Sequence, residues 1–340
     1  MRILLGMSGG LDSSFSALKL KEEGHSVEGA VLIMHEYTEL DSARAAAREV
    51  GIELHEIDCR KLFSKTVIPD FVEQYRRART PNPCIICNRE VKFKALFDYA
   101  VQNGFDKIAT GHYARIRTGN DGKSVICRAS DLKKDQSYML WRLSPEIIDK
   151  LILPLENLTK EEIRLMAAER GLSSSERRDS QEICFIPTGD YGAYIEERIG
   201  KCEEGDFVDE NGKLLGRHKG IIHYTVGQRK GLGIALGSRA FITDINPETN
   251  RIVLSLSAKE TAVFTVSDIV FTGMPKKATG ECCRLLVKVR YQAPPVFADV
   301  EFLTDSTARV SLTSPLKSVT SGQSAVFYDG DTLAFGGFID

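Results

Sequence analysis

Arg2-Ile3-Leu4-Leu5-Gly6-Met7-Ser8-Gly9-Gly10-Leu11-Asp12-Ser13-Ser14 is the stretch that decides the reading of this chain. Its first half is a continuous apolar run, the pattern of a strand buried on both faces of a parallel sheet. Gly9 and Gly10 then allow a tight turn and a close approach of backbone to a ligand. Asp12, Ser13 and Ser14 fall in the first turn of a helix whose apolar stripe continues through Phe15, Leu18 and Leu20. A helix N-terminus offers unpaired N–H groups and a partial positive charge, so this strand–turn–helix predicts a pyrophosphate-binding loop. Ser8 and Ser13 add hydroxyl donors, and Asp12 can help to hold a magnesium ion. The plainer alternative is an N-capped helix after a turn; the strand before it and the Asp-Ser-Ser after it favour the phosphate loop. The expected chemistry is ATP cleavage with adenylation of an oxygen.

Two similar-looking stretches fail the same test. Gly122-Lys123-Ser124 resembles the end of a Walker A loop, but Arg117 stands where its first glycine belongs, and Gly119 to Gly122 reads as a hairpin turn. Gly231-Leu232-Gly233 lacks the strand–turn–helix setting of a dinucleotide fingerprint.

The 340 residues suffice for two or three domains. No long apolar run or charged-then-apolar leader is present, so a cytoplasmic protein without membrane contact is expected. The eight cysteines then read as thiols, metal ligands or catalytic groups rather than structural disulfides. A net charge of −2 argues against a general nucleic-acid coat protein but allows a local basic groove.

Strands and helices alternate through the first half. Val27–Met34, Leu54–Asp58 and Lys107–His112 read as strands; Leu40–Val50, Phe63–Arg79, Val91–Asn103, Glu146–Lys150 and Lys160–Arg170 read as helices, the last after the cap-like Thr159. The order implies an α/β fold with a doubly wound parallel sheet. Helical periodicity fades near Gly200, and from about Val263 the pattern is all-β. The expected organisation is a catalytic domain over 1–200, a small mixed domain over 201–262 and a small C-terminal β-barrel over 263–340.

Ligands of an open parallel sheet bind beyond the carboxyl ends of its strands. Ser8, Met34 and Gly111-His112 stand at such ends. Met34 reads equally as a platform for adenine or as a core methionine. Gly111 permits close approach to a nucleotide; His112 reads as a phosphate or sugar contact or as a polar strand end. A second constellation is Pro81-Asn82-Pro83-Cys84-Ile85-Ile86-Cys87-Asn88, where two prolines hold an extended turn before a helix. Its Cys-x-x-Cys pair lies near a helix N-terminus, which lowers a thiol pKa. Cys184, downstream of Arg177-Arg178, is a third candidate thiol. Cys59, Cys127, Cys202, Cys282 and Cys283 read as small core or surface residues.

Taken together these segments resemble the bacterial tRNA-specific 2-thiouridylases, the MnmA family of the PP-loop ATP-pyrophosphatase superfamily. The segments are Gly6–Ser14, Thr80–Pro83 with Cys87-Asn88 and Val91-Lys92-Phe93, Ala109–Tyr113, Lys134–Tyr138, Asp179-Ser180 with Ile183–Ile186, and Thr225–Gly233. The resemblance implies ATP-dependent thiolation of the wobble uridine at carbon 2. It implies an ATP site of Gly6, Met7, Ser8, Gly9, Gly10, Leu11, Asp12, Ser13, Met34 and Gly111. Cys184 is then the persulfide carrier and Cys87 its partner thiol, which closes a disulfide after transfer. Asn82, Pro83 and Cys84 take the target-base region; His112, Lys134, Asp135, Gln136, Arg290, Tyr291 and Gln323 match tRNA-contacting positions. A protein sulfur donor, either a cysteine desulfurase or a sulfur-relay protein, and a monomeric state go with it.

One position departs from the family pattern. Position 84 is Cys where the family usually has Asp. Cys84, Cys87 and Cys184 thereby match the trio with which related thiolation enzymes hold a 4Fe–4S cluster, and two sulfur routes stand side by side. Amide-forming ligases that share the loop are the competing enzyme class, and they need no cysteine trio.

Overall fold

The computed structural model of the chain describes residues 1–119, 121–176, 183–234, 239–317 and 319–340. The opening apolar run becomes β1 (Arg2–Gly6), with Ile3, Leu4 and Leu5 fully buried. The chain continues through α1 (Leu11–Glu22), β2 (Ser26–Ile33), α2 (Leu40–Val50), β3 (Leu54–Asp58) and α3 (Arg60–Arg76). A five-residue helix, α4 (Pro83–Cys87), runs into a π-turn over Asn88–Lys92 and then α5 (Phe93–Gln102). β4 (Lys107–Thr110) follows, then the hairpin β5 (Arg115–Thr118) and β6 (Ser124–Cys127), then α6 (Pro145–Lys150) and β7 (Leu151–Ile152). α7 (Lys160–Glu169) starts at Thr159, whose side chain and Glu162 form a reciprocal capping box, and α8 (Tyr191–Ile199) closes the first half.

The first sheet is parallel throughout, in the order β3-β2-β1-β4-β7. Its order reverses between β1 and β4, where Gly6 pairs with Thr110. A crevice opens beyond the carboxyl ends at such a switch point, and both candidate phosphate-side segments leave the sheet there.

A second, four-stranded sheet has the order β10-β11-β8-β9, from β8 (Gly205–Val208), β9 (Leu214–His218), β10 (Phe241–Asn246) and β11 (Arg251–Ser255). The C-terminal unit is a closed barrel of β12 (Glu260–Phe271), β13 (Cys282–Lys288), β14 (Val296–Phe302), β15 (Ala308–Lys317), β16 (Ser324–Asp329) and β17 (Thr332–Ile339). β12 closes it by pairing with β15 up to Val266 and with β17 from Val266 onward. Val266 pairs with both strands, so the change of partner falls there; the register shift between Ser267 and Val270, with Asp268 at φ 52°, is a bulge within the β17 pairing. Val266, Val287, Val300, Val310 and the stacked pair Phe327–Phe335, 4.2 Å apart, fill its interior.

The barrel sheet reaches back into the first half. The β5–β6 hairpin joins β17 through Cys127 and Thr332. Trp141 is fully buried between the two units and donates its indole N–H to Ser324 Oγ at 3.0 Å. Among the described residues no helix is long and apolar enough to cross a membrane.

Candidate active site

The phosphate-side loop is built as its sequence dictates. Gly9 adopts φ 78°, a left-handed conformation that costs a residue with a Cβ roughly 1–2 kcal/mol. A Cβ there would also lie 2.4 Å from the Ser42 carbonyl carbon of α2. Gly10 caps α1, and its carbonyl accepts from Ser13 Oγ and Ser14 Oγ, each at 3.0 Å. Ser8 N–H donates to Ser13 Oγ at 3.3 Å. Met7 and Leu11 bury their side chains in the core, so only their backbone faces the loop. Across the switch point Gly111 presses against the first turn of α1: a Cβ on it would stand 3.0 Å from the Asp12 carbonyl carbon.

Asp12 is engaged within the protein. Lys160 Nζ lies 2.8 Å from both carboxylate oxygens, and Tyr113 OH donates to Oδ1 at 2.6 Å. Lys160 and Tyr113 carry no signal in the sequence beyond their neighbours, a helix cap and Gly111-His112. Beside them His112 bonds Thr110 Oγ1 through Nδ1 at 2.9 Å and packs on Phe93. Burial, with the Lys92 charge in support, pushes His112 down to about 3, so the imidazole is neutral.

The sulfur side lies across the ends of β2 and β3. Asn82 caps α4 by accepting from Cys84 N–H at 3.2 Å, with Pro83 at the first helical position. Cys84 is exposed; Cys87 is 4 % exposed and donates to Met34 Sδ at 3.6 Å. Ile183, Phe185 and Ile186, the residues around Cys184, join Cys87, Val91, Phe63 and Phe71 in one apolar cluster. Phe185 meets Phe63 edge-on at 5.3 Å and Phe71 at 5.4 Å. Burying such a ring is worth about 1.5–3 kcal/mol, so Phe185 anchors the exposed Cys184 beside α3 and α4.

The Cys87 thiol does not have the low pKa expected from a helix start. Burial pushes Cys87 up to about 12, opposed by Lys92 and reinforced by Cys84, Cys184 and Cys59. Desolvation also raises Cys184, again opposed by Lys92. A helix of five residues sums too few peptide dipoles to outweigh apolar surroundings. Cys59, read from sequence as a plain core residue, belongs to the same cluster and is pushed up to about 11 by burial. Arg177 and Arg178, expected to stabilise Cys184, lie outside the described residues.

The barrel braces this loop. Thr80 N–H donates to Ser321 C=O at 2.8 Å, Gln323 Nε2 to Thr80 C=O at 2.7 Å and Arg79 Nε to Ser321 Oγ at 2.9 Å. Arg290 donates to Thr320 Oγ1 at 2.5 Å, and Tyr291 lies 6.1 Å from the buried Tyr138 ring. Two more of the positions matched to tRNA contacts hold the 129–137 turn from within. Asp135 is buried and accepts from Ala129 N–H, Ser137 N–H and Ser137 Oγ at 3.0–3.2 Å. Gln136 Oε1 accepts from Tyr113 N–H at 2.9 Å. Lys134 sits at the rim of the same turn, half-buried.

Comparison with known proteins agrees with this architecture. Residues 1–188 match the family described as tRNA methyl transferase HUP domain, residues 192–256 its PRC-barrel domain and residues 249–339 the aminomethyltransferase beta-barrel domain. The chain is 42% identical over 351 residues to tRNA-specific 2-thiouridylase MnmA 2 of Clostridium botulinum strain Langeland, covering 99% of this chain and 98% of that protein. It is 41% identical over 359 residues to tRNA-specific 2-thiouridylase MnmA of Acetivibrio thermocellus, covering 99% of each. It is 39% identical over 360 residues to the MnmA of Carboxydothermus hydrogenoformans, covering 100% of this chain and 97% of that one. A parallel-sheet domain with a phosphate-type loop, a central sheet, a closed barrel and this full-length likeness lead to one assignment: the chain belongs to the tRNA-specific 2-thiouridylase family.

Proposed function

We propose that the protein thiolates carbon 2 of the wobble uridine of tRNA at the expense of ATP, using sulfur carried by Cys184. ATP sits at the switch point, its phosphates on the Ser8–Ser13 loop and its adenine beside Met34. Uridine O2 attacks the α-phosphorus; pyrophosphate leaves and N3 loses its proton, giving an O2-adenylyl base. The terminal sulfur of a Cys184 persulfide anion then attacks C2, a C–S bond forms, and AMP departs with the C–O electron pair. The Cys87 thiolate attacks the Cys184 sulfur, the S–S bond to the base breaks, and N3 regains a proton to give 2-thiouridine. The Cys87–Cys184 disulfide left behind is reset by an external thiol reductant, and a protein donor supplies the next sulfane sulfur.

The observation that carries this reading is the convergence of Cys87 and the Cys184 segment in one apolar cluster, next to Met34 at the nucleotide edge. Asn82, Pro83 and Cys84 form the mouth through which the base would enter, and unstacking that base costs a few kcal/mol. His112, Lys134, Arg290, Tyr291 and Gln323 are the candidates to hold the surrounding RNA; Asp135 and Gln136 act by shaping the 129–137 turn and its contact with Tyr113. Asp12 as placed does not fit a magnesium ligand, because an ammonium holds both oxygens. In this reading magnesium accompanies the ATP polyphosphate. The test is incubation of unmodified tRNA with enzyme, ATP, magnesium and a sulfur source, followed by nucleoside mass spectrometry for 2-thiouridine.

A second sulfur route is favoured by Cys84, whose thiol is close enough to both Cys87 and Cys184 to raise them. Cys84, Cys87 and Cys184, once deprotonated, would hold a 4Fe–4S cluster with one open iron, which would supply sulfide in place of the persulfide. Full activity of anaerobically purified enzyme free of iron and acid-labile sulfide excludes that route.

A further inference from the structure

We propose that Lys92 is the cation that stabilises anionic sulfur during transfer, and that the π-turn after Cys87 serves to bring it there. The inference rests on the thiolation reading and assigns a new residue to it.

The backbone supplies the first argument. Had α4 continued as a regular α-helix, residue 92 would follow Cys87 by five positions, about 500° of rotation, and would point roughly 140° away from it. The π-turn absorbs one residue: Phe93 N–H bonds to the Asn88 carbonyl, an i to i+5 contact. Lys92 then takes the place that an i+4 residue normally holds, about 40° from the Cys87 direction. Helical side chains lean toward the N-terminus, so Lys92 leans back over Cys87 and toward Cys84.

The charges around Lys92 supply the second. Burial disfavours its ammonium, yet Cys87, Cys84 and Cys184 more than offset this and raise its pKa. Those three sulfurs, once ionised, are the opposite charges that act on it, and no ion pair links Lys92 to a carboxylate of the described residues. A half-buried lysine without a carboxylate partner is costly, and such groups are kept where they act on a partner. The same charge adds to burial in lowering His112 at the end of β4 and His35 at the end of β2, with Glu36 opposing at His35. His35 is 9 % exposed with both ring nitrogens unpartnered. Lys92 is therefore the cation between the nucleotide edge and the thiols. Each attacking sulfur in the proposed sequence carries a negative charge in apolar surroundings, which is the condition under which a fixed cation has its largest effect.

The test uses full-length enzyme loaded with one sulfane sulfur, unmodified tRNA and ATP in a single turnover, reading pyrophosphate release for adenylation and 2-thiouridine for transfer. Lys92→Met and Lys92→Gln should release pyrophosphate within about three-fold of the wild type but form 2-thiouridine at least about 100-fold more slowly. Lys92→Arg, which keeps the charge, should restore transfer to within about ten-fold. A structural role would depress both steps together and ignore the charge. Wild-type transfer rates in the neutral variants, or parallel loss of both steps in Met, Gln and Arg variants alike, would overturn the inference. If wild-type enzyme releases pyrophosphate but yields no 2-thiouridine, the thiolation reading fails instead.

Discussion

Lys160→Met probes the joint that orients the phosphate loop. The Lys160 side chain is 7% exposed and its ammonium is 2.8 Å from Asp12 Oδ1, while the Asp12 side chain is 32% exposed. Removing one partner of a fully buried ion pair costs about 3–5 kcal/mol, because the other charge is stranded. Water reaches Asp12, and Tyr113 OH still donates to it at 2.6 Å, so the stranded carboxylate is partly compensated. The expected loss is therefore about 2–3 kcal/mol, with methionine preserving the aliphatic stem of the lysine. Urea unfolding read from Trp141, the single tryptophan, buried where the first half meets the barrel, measures it. Asp12→Asn completes a double-mutant cycle, in which the coupling should reach at least about 1 kcal/mol. A Lys160→Met cost under about 0.5 kcal/mol, the range of ordinary surface changes, would refute the reasoning. So would costs that simply add.

Three further outcomes follow from the site. Gly9→Ala should reduce ATP binding by at least about 100-fold in equilibrium dialysis with an unchanged circular dichroism spectrum, since the Cβ meets α2 backbone and the conformation is left-handed; Gly10→Ala, whose Cβ would be 3.5 Å from Ser8 Oγ, should do much less. His112 is held neutral with a pKa of about 3. Below pH 6.5 the unfolded chain gains a proton that the folded one lacks, so stability falls as pH drops from about 6.5 toward 3, by about 2 kcal/mol at pH 5. His112→Asn should lose that part of the pH dependence in urea titrations at pH 7 and 5, and an identical pH dependence in the variant would count against burial as the cause. Cys184→Ser should release pyrophosphate without thiolating tRNA, whereas Cys87→Ser should accumulate a reductant-sensitive tRNA–protein adduct on non-reducing gels; normal turnover by either would break the proposed order of attack.

The parallel sheet and the glycine turn that opens its first helix were legible because each has a local cause: an apolar run, a glycine turn, a helix start. The barrel was legible from its alternating strands, but the way it closes was not, since closure depends on β12 passing from β15 to β17 at Val266. The β5–β6 hairpin was legible as a hairpin, while its pairing with β17 across the chain was not. Val91–Asn103 read as one helix, and nothing in its periodicity marks the π-turn that brings Lys92 round. The Cys87 thiol went the other way from its local expectation: helix position favours the thiolate, but tertiary packing around Phe185 and Val91 buries it. Asp12 is the same lesson with charge. Its place in the loop suggests a metal, and only the fold delivers Lys160, 148 residues away, to its carboxylate.

The central claim is tested most directly by counting products in one reaction. Enzyme, unmodified tRNA, ATP, magnesium and a sulfane-sulfur source should yield 2-thiouridine at the wobble position, with one AMP released for each sulfur inserted and none without tRNA. AMP formed without 2-thiouridine, whether the enzyme is fully reduced or cluster-reconstituted, would contradict the account.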